Sequence, residues 1–171
     1  MALPKKNLST KATLPLRPNV CMLIFNKKGK LLLAERYGKK GKWQFPQGGA
    51  EPDISTRQNV YRELNEELGL KKKHLGRMIK LRAIHEYDWD KVPAYAKGIW
   101  RGQAQTFWLI EFTGGDSDIN LAAHEEQELQ SFQWVAPNKV QELAETKRIL
   151  GYLAPLKEFK KFIRQERATK S

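Results

Sequence analysis

The segment of residues 43–70 constrains the fold more than any other, because its second half is expected to be a two-faced helix. An apolar face is formed at positions i, i+4 and i+8 by Val60, Leu64 and Leu68. An acidic face is formed three and four residues apart by Glu63, Glu66 and Glu67. Like charges at this spacing cost an isolated helix roughly 0.2–0.5 kcal/mol per pair, and a divalent cation held by carboxylates reverses that effect. The pattern predicts one helix face on the core and one facing a cleft.

The ends of this helix are also predictable. Ser55 followed by Gln58 fits a capping box, so we expect the helix to begin near Thr56. Gly69 suits a left-handed C-terminal cap. Residues 46–49 (PQGG) are expected to form a tight turn, in which glycines let main-chain groups approach a metal or a phosphate. The alternative is an ordinary amphipathic helix with a solvated acidic face, and the glycine-rich segment before the helix argues against it.

These residues resemble the Nudix box, which reads Gly, five residues, Glu, seven residues, then Arg-Glu-hydrophobic-X-Glu-Glu-X-Gly-hydrophobic. The chain matches it in register at Gly48, Arg62, Glu63, Leu64, Glu66, Glu67, Gly69 and Leu70. One position departs from the motif, because Ile54 stands where the family has its first Glu, which braces the loop by pairing with the motif Arg. Glu51 and Asp53 lie nearby, out of register. The departure bears on loop rigidity and turnover more than on metal binding, and it leaves open a weakened or inactive member.

The resemblance extends to one branch of the family, the bacterial RNA 5′-pyrophosphohydrolases and related dinucleoside polyphosphate hydrolases. It is carried by residues 17–20 (RPNV), 34–38 (AERYG), 43–49 (WQFPQGG), 115–120 (GDSDIN) and 132–135 (FQWV). It implies a Nudix-type α/β/α sandwich of mixed α+β character, with a mixed β-sheet between helices. We expect a flexible basic arm at residues 1–16 and a single Nudix domain at residues 17–171, including the C-terminal helices.

Other elements are predicted from local patterns alone. Apolar runs bounded by turn residues predict strands at residues 19–25, 31–36, 78–87, 103–112 and 132–135. A helix is predicted to open at Pro137 and to run to about residue 145, and a last helix covers residues 152–167. The mixed order of strands and helices indicates α+β or α/β layers.

The resemblance also implies roles for particular residues. It implies that a metal is held by Gly48, through its carbonyl, and by the carboxylates of Glu63, Glu66, Glu67 and Glu128. Glu63, Glu67 or Glu128 is expected to take the proton of the attacking water, and the sequence does not separate them. Glu128 is distinguished from Glu125 and Glu126 only by its register with FQWV, and ordinary surface acidity is its alternative. Arg62 is expected to be structural, because Glu66 one turn later can pair with it.

Candidate substrate-binding residues follow by position. The resemblance implies Arg36 and Gln47 near the substrate phosphates, and a strand-end surface charge is the alternative for Arg36. RNA-cleaving relatives often stack the first base on an aromatic residue after FQWV, and residues 140–148 contain none. Contacts to base or phosphate are therefore assigned instead to Thr146, Lys147 and Arg148. A base-stacking role and a loop-packing role are equally compatible with Trp89, Tyr95 and Trp100.

Composition bears on partner and compartment. The chain has 31 Lys and Arg against 19 Asp and Glu, a net charge of +12, which favours a polyanionic substrate, with an ordinary cationic surface as the alternative. The single Cys21 excludes an internal disulfide, fits a reducing compartment and lies in an apolar run typical of a core. No apolar run approaches the ~20 residues of a membrane helix, and no secretory signal is apparent. We expect a cytoplasmic protein without a membrane partner. The oligomeric state is not indicated.

The reaction implied by the resemblance is Mg2+-dependent hydrolysis of a phosphoanhydride, with Mn2+ as a substitute. The leading substrate is the 5′ end of triphosphorylated RNA, which would yield a 5′-monophosphate end and pyrophosphate. The basic surface favours RNA, because phosphate contacts beyond the first nucleotide need Lys and Arg. Two alternatives stay open: hydrolysis of a free nucleotide such as the dinucleoside polyphosphate diadenosine tetraphosphate, and a noncatalytic RNA-binding Nudix module that lost activity through Ile54.

Overall fold

The computed structural model describes residues 13–170, in which four strands, one α-helix, three strands and two α-helices follow one another along the chain. The strands are β1 (Leu16–Phe25), β2 (Leu31–Arg36), β3 (Trp43–Gln44), β4 (Gln47–Gly49), β5 (Leu75–Asp88), β6 (Gly102–Phe112) and β7 (Leu129–Val135). The α-helices are α1 (Thr56–Leu68), α2 (Val140–Leu143) and α3 (Thr146–Thr169). None of the helices in this part of the chain is long and apolar enough to cross a bilayer.

The strands form one mixed sheet in the order β3-β2-β1-β6-β5, with β4 beside β1 and β7 beside β2. β1 and β6 run parallel over ten residue pairs, from Leu16 opposite Gly102 to Phe25 opposite Glu111. The remaining strand pairs are antiparallel. The sheet is therefore mixed, as predicted.

Each face of the sheet is covered by a helix. Side chains alternate across a strand, so the apolar strand β1 presents apolar side chains to both faces. On β1, the side facing α1 is formed by Val20, Met22 and Ile24, and the side facing α3 by Cys21, Leu23 and Phe25. The apolar face predicted for α1 is fully buried at Val60, Leu64 and Leu68. From the other side, α3 buries Tyr152, Leu156 and Phe159. The predicted α/β/α sandwich is confirmed, and Cys21 lies in the core as expected.

The predictions at both ends of the chain need correction. β1 begins at Leu16, inside the arm predicted at residues 1–16, because Leu16 pairs with Gly102 of β6. Residues 1–12 of that arm lie outside the described residues. The helix predicted to open at Pro137 is a 3-10 turn followed by the short α2.

The last helix also differs, because it begins at Thr146 and not at residue 152. Two residues that usually disfavour helix lie within it. Pro155 is inside the helix. Packing explains the glycine at position 151, because a Cβ there would lie 2.5 Å from the Cδ2 atom of His85.

Candidate active site

The glycine pair lies in a strand, so the predicted tight turn is wrong. β4 pairs antiparallel with β1, with Gly48 opposite Val20. Neither Gly48 nor Gly49 has a positive φ. The two glycines instead permit close approach: a Cβ on Gly48 would lie 2.0 Å from the carboxyl carbon of Glu63, and one on Gly49 would lie 2.1 Å from an Arg17 guanidinium nitrogen. The absence of side chains lets an acid and an arginine sit directly against the strand.

The helix that carries the acids has the predicted ends. It begins at Thr56, and Ser55 and Gln58 form the reciprocal capping box, with main-chain to side-chain distances of 2.9 and 3.1 Å. Gly69 adopts the left-handed conformation at φ 66°. Both caps fix where the helix starts and stops, and therefore which of its residues face β4.

The three helix acids lie in different environments. Glu63 and Glu67 are only 5% and 3% exposed, whereas the Glu66 side chain is 43% exposed. The main-chain N–H of Gln47 donates to Oε2 of Glu67 at 3.1 Å. The other Glu67 oxygen, Oε1, is buried and has no hydrogen-bond partner within residues 13–170. A buried carboxylate oxygen without a donor is costly unless a proton or a cation reaches it.

Neighbouring carboxylates act on the pKa of both buried helix acids. Burial raises the pKa of Glu63 to about 7; nearby Arg62 opposes this, and Glu66 and Glu128 add to it. Burial also raises the pKa of Glu67 well above its usual value, helped by the neighbouring carboxylates of Glu63 and Glu128. Glu128, which precedes β7, therefore reaches the two buried helix acids from another element of the fold.

The donor set fits a divalent cation. Hard cations prefer carboxylate and carbonyl oxygens, and the unpartnered Oε1 of Glu67 is such a ligand. Within the described part of the chain, however, no three His, Cys, Asp or Glu side chains are already arranged to hold an ion. Arg62 occupies two of the acids, because its Nη1 lies 2.9 Å from Glu63 Oε1 and 3.1 Å from Glu66 Oε2. A cation must compete with Arg62 for them.

Arg62 also connects the helix to the loop before it. Its Nη2 donates to the carbonyl of Gly49 at 2.6 Å and to Oδ1 of Asn59 at 3.0 Å. Its Nε lies 3.6 Å from Oε1 of Glu51. Arg62 thus has the expected contact with Glu66, and Glu51 reaches it from outside the motif register.

The loop at Ile54 is braced by Asn59, which the sequence analysis did not single out. Asn59 is 1% exposed. Its Nδ2 donates to the carbonyls of Glu51 and Ser55 at 3.0 and 3.1 Å, and its Oδ1 accepts from the Glu51 N–H at 2.8 Å. Both ends of residues 51–55 are tied to α1 although Ile54 replaces the motif Glu. The sequence feature that could have indicated this role is the side-chain amide of Asn59, which lies directly before Val60 of the apolar face.

The predicted phosphate-binding cations gather around one acid, Glu145. Its carboxylate lies 3.1 Å from Arg148, 3.4 Å from Lys147 and 3.9 Å from Arg36. The Lys147 side chain is 65% exposed, whereas those of Arg148 and Glu145 are largely buried. Burial opposes ionisation of Glu145, but Arg148 and Lys147 lower its pKa overall. Sequence reasoning missed Glu145, because its partner Arg36 comes from the distant strand β2.

Gln47 belongs to a separate polar network. Nε2 of Gln105 donates to Gln47 Oε1 at 2.5 Å and to Asn19 Oδ1 at 3.1 Å. Asn19 and Gln105 are buried and lie opposite each other on β1 and β6. The Gln47 side chain is therefore held by Gln105 of the central strand β6, while the Gln47 main-chain N–H contacts Glu67.

The aromatic loop between β5 and β6 approaches the same strand. Trp89 and Tyr95 pack edge to face with ring centroids 6.2 Å apart. The Arg17 guanidinium that touches Gly49 lies 5.0 Å from the Tyr95 ring centroid. These contacts demonstrate loop packing. Tyr95 nevertheless stays 58% exposed, so a face for stacking remains.

Comparison with known proteins agrees with this arrangement. The NUDIX domain family matches residues 15–155. The RNA pyrophosphohydrolase of Klebsiella pneumoniae (strain 342) is 38% identical over 122 residues, covering 70% of this chain and 69% of that protein. The RNA pyrophosphohydrolase of Proteus mirabilis (strain HI4320) is 39% identical with the same coverage.

Solved structures show the same fold. A C. elegans Ap4A hydrolase binary complex has a TM-score of 0.60 at 18% identity, covering 86% of this chain and 98% of that one. The MutT protein of Methanosarcina mazei Go1 has a TM-score of 0.56 at 21% identity, covering 90% and 96%.

The sandwich and its buried acids define a hydrolase of the phosphoanhydride-cleaving type, whose members generally depend on a divalent metal. The chain belongs to the Nudix family.

Proposed function

We propose that this protein is a metal-dependent RNA pyrophosphohydrolase, which converts a 5′-triphosphorylated RNA end to a 5′-monophosphate and releases pyrophosphate. The observation that carries the proposal is the meeting of Glu63, Glu67 and Glu128 beside β4, in a chain of net charge +12. Relatives 38–39% identical that are RNA pyrophosphohydrolases support the RNA substrate.

The metal would be held by the Gly48 carbonyl and by Glu63, Glu66, Glu67 and Glu128. When bound, Mg2+, or Mn2+ in its place, offsets charge on the phosphate oxygens and lowers the pKa of a coordinated water. Glu67 is prepared for this role by its surroundings. The Gln47 N–H fixes one of its oxygens, and the other is left to accept a cation or a proton.

The proton of the attacking water goes to one of the same acids. Burial and neighbouring carboxylates raise the pKa of both Glu63 and Glu67, so neither helix acid is singled out as the base. A carboxylate whose pKa lies near neutrality is well matched to a general base. Water then attacks a phosphorus atom, and the phosphoanhydride bond between the α- and β-phosphates breaks, which separates pyrophosphate from the 5′-monophosphate end.

The substrate phosphates would be held by Arg36, Gln47, Lys147 and Arg148. Three of these residues share the carboxylate of Glu145, so a phosphate competes with Glu145 for their charge. Lys147 is the most exposed of the three and would be the first to meet an incoming phosphate. Gln47 supplies an amide beside the metal acids. We place the reaction in the cytoplasm, a reducing compartment that suits the single buried Cys21.

A competition assay tests the substrate. Equal amounts of 5′-triphosphorylated RNA and diadenosine tetraphosphate are mixed with the protein and Mg2+, and both products are followed over time. Faster formation of 5′-monophosphorylated RNA is expected. Faster cleavage of the dinucleotide would make the protein a free-nucleotide hydrolase. RNA binding without a Mg2+-dependent product would make it a noncatalytic module.

A further inference from the structure

A second cationic region lies at the end of the sheet opposite the acids. We call it the turn–helix surface. It comprises three lysines of the β1–β2 turn and three cations of α3, namely Lys27, Lys28, Lys30, Lys160, Arg164 and Arg167. All six side chains are exposed. None of the six belongs to the proposed metal or substrate-phosphate sites.

The β1–β2 turn is rigidly built and contacts the helix. Oδ1 of Asn26 accepts from the main-chain N–H groups of Lys28 and Lys30 at 3.0 and 3.1 Å. Gly29 has a positive φ of 71°, and a Cβ built on it would lie 3.8 Å from Ile163 and 4.0 Å from Arg167. The turn therefore lies on α3, and the cations of both elements form one continuous surface.

The charges of this surface are uncompensated. Within residues 13–170, none of its six cations forms an ion pair, whereas nearby Arg77 lies between Glu111 at 2.9 Å and Glu166 at 3.0 Å. Asp116, which borders the surface, accepts a hydrogen bond from the Trp134 indole at 2.9 Å. Asp116 keeps its negative charge, because the indole is neutral, so six cations stand against one carboxylate and a net positive potential remains to attract an anion.

Two cavities adjoin the turn. One, of about 400 Å³, is bounded by Lys27, Lys28 and Lys30 together with Phe112 and Trp134, whose rings stack at 5.6 Å. The other, of about 440 Å³, is bounded by the turn lysines and by the cations of α3. Phe112 is only 3% exposed, so Trp134 is the ring of this pair that a base could contact while phosphates contact the lysines.

The distance from the acids sets which part of an RNA could reach this surface. Val20 of β1 pairs with Gly48 at the active site, and Asn26 follows six residues later. At ~3.3 Å per residue, the turn lies ~20 Å from the acids. We propose that the turn–helix surface binds the phosphate backbone of the substrate RNA downstream of its processed 5′ end. This inference rests on the proposed function, and it deepens it by giving long RNA an advantage over free nucleotides.

The test compares two pairs of substitutions that remove equal charge. Lys28→Ser with Lys30→Ser removes two cations of the surface, and Lys80→Ser with Arg82→Ser removes two exposed cations of β5. Each variant is assayed on a triphosphorylated RNA long enough to reach the turn and on a triphosphorylated dinucleotide. For single strands, each phosphate contact adds ~0.7 to the slope with which log affinity falls against log salt concentration, so two contacts add ~1.4. The ratio of wild-type kcat/KM to turn-variant kcat/KM on long RNA should therefore fall about sevenfold as salt rises from ~50 to ~200 mM.

The expected result is a salt-sensitive loss on long RNA for the turn variant, no loss on the dinucleotide, and no loss for the β5 control. Equal losses in both variants, or a loss on the dinucleotide, would overturn the inference. If the wild type hydrolyses no RNA, the proposed function fails, and binding of 5′-monophosphorylated RNA tests the surface alone. Weaker RNA binding by the turn variant only would support it. Unchanged RNA binding, or binding to anionic vesicles in place of RNA, would contradict it.

Discussion

Replacing Asn59 with Ala removes the side chain that ties residues 51–55 to α1. Asn59 makes four hydrogen bonds, three to the main chain of the loop and one to Arg62. At ~1 kcal/mol each they set an upper limit of ~4 kcal/mol on the lost stability. Glu51 and Ser55 are exposed, so their main-chain groups regain water, and Ala is a better helix former by up to ~0.7 kcal/mol. We expect a net loss of ~2 kcal/mol, or ~4–8 °C in Tm for a domain of this size.

Activity should fall as well, because Arg62 holds Glu63 and loses one of its own anchors. If about half of the lost energy is felt at the Glu63 carboxylate, kcat falls about fivefold at saturating RNA. Amide hydrogen exchange of residues 51–55, measured without metal, provides an independent readout and should accelerate. Asn65→Ala is the control on the same helix, because the Asn65 side chain makes two contacts away from residues 51–55, a donated bond of 3.3 Å to the carbonyl of Leu70 and an Oδ1 contact of 3.2 Å with His124 Nε2.

A second substitution, at Ile54, tests whether residues 51–55 need the contacts of Asn59. Ile54→Glu restores the acid of the motif, so it should recover part of the lost activity in the Asn59→Ala background and have little effect alone. A large loss from Ile54→Glu alone would mean that Ile54 is needed as a packed apolar residue. If Asn59→Ala matches Asn65→Ala in stability, exchange and kcat, the loop is held by other contacts and the brace described here is wrong.

Three further predictions concern single residues. Glu67→Gln should lower kcat by ~100-fold or more and leave the fold intact by circular dichroism, because the side chain keeps its size while the negative charge and one ligand oxygen are lost; wild-type turnover would remove Glu67 from the site. Gly48→Ala should displace Glu63 and cost roughly 1–3 kcal/mol, measured by urea unfolding, because the new Cβ would lie 2.0 Å from that carboxyl carbon. The hydrogen bond from Arg77 lowers the pKa of Glu111. The stability gained from this pair is therefore fully present above the usual carboxyl pKa, and it is lost as the pH falls through the lowered pKa of Glu111. Arg77→Gln should lower Tm at pH ~7, and the difference should close below pH ~4; a difference independent of pH would contradict this.

The predictions that succeeded concern features set by neighbours in the chain. The capping box, the left-handed Gly69 and the buried stripe of α1 depend on residues a few positions apart, so spacing was enough to find them. The Gly48 prediction failed because that glycine serves a contact with Glu63 and not a turn. Asn59 and Glu145 were missed although most of their partners are near in sequence, because spacing does not show that Asn59 turns its amide to the main chain of residues 51–55 or that Arg36 of β2 lies beside Glu145. The start of α3 was misplaced because Gly151 packs on His85 of β5.

The central position of β1 has a consequence for how the chain folds during synthesis. Within residues 13–170, β1 is the first strand to be made, yet its parallel partner β6 ends at Phe112, and the two pair over all ten residues of β1. Their hydrogen bonds cannot form until β6 has left the ribosome, so β1 waits with an unsatisfied edge while more than eighty residues are translated. An apolar strand held open in this way is a target for chaperones and for aggregation. The yield of native protein should therefore depend on the speed of translation up to the end of β6.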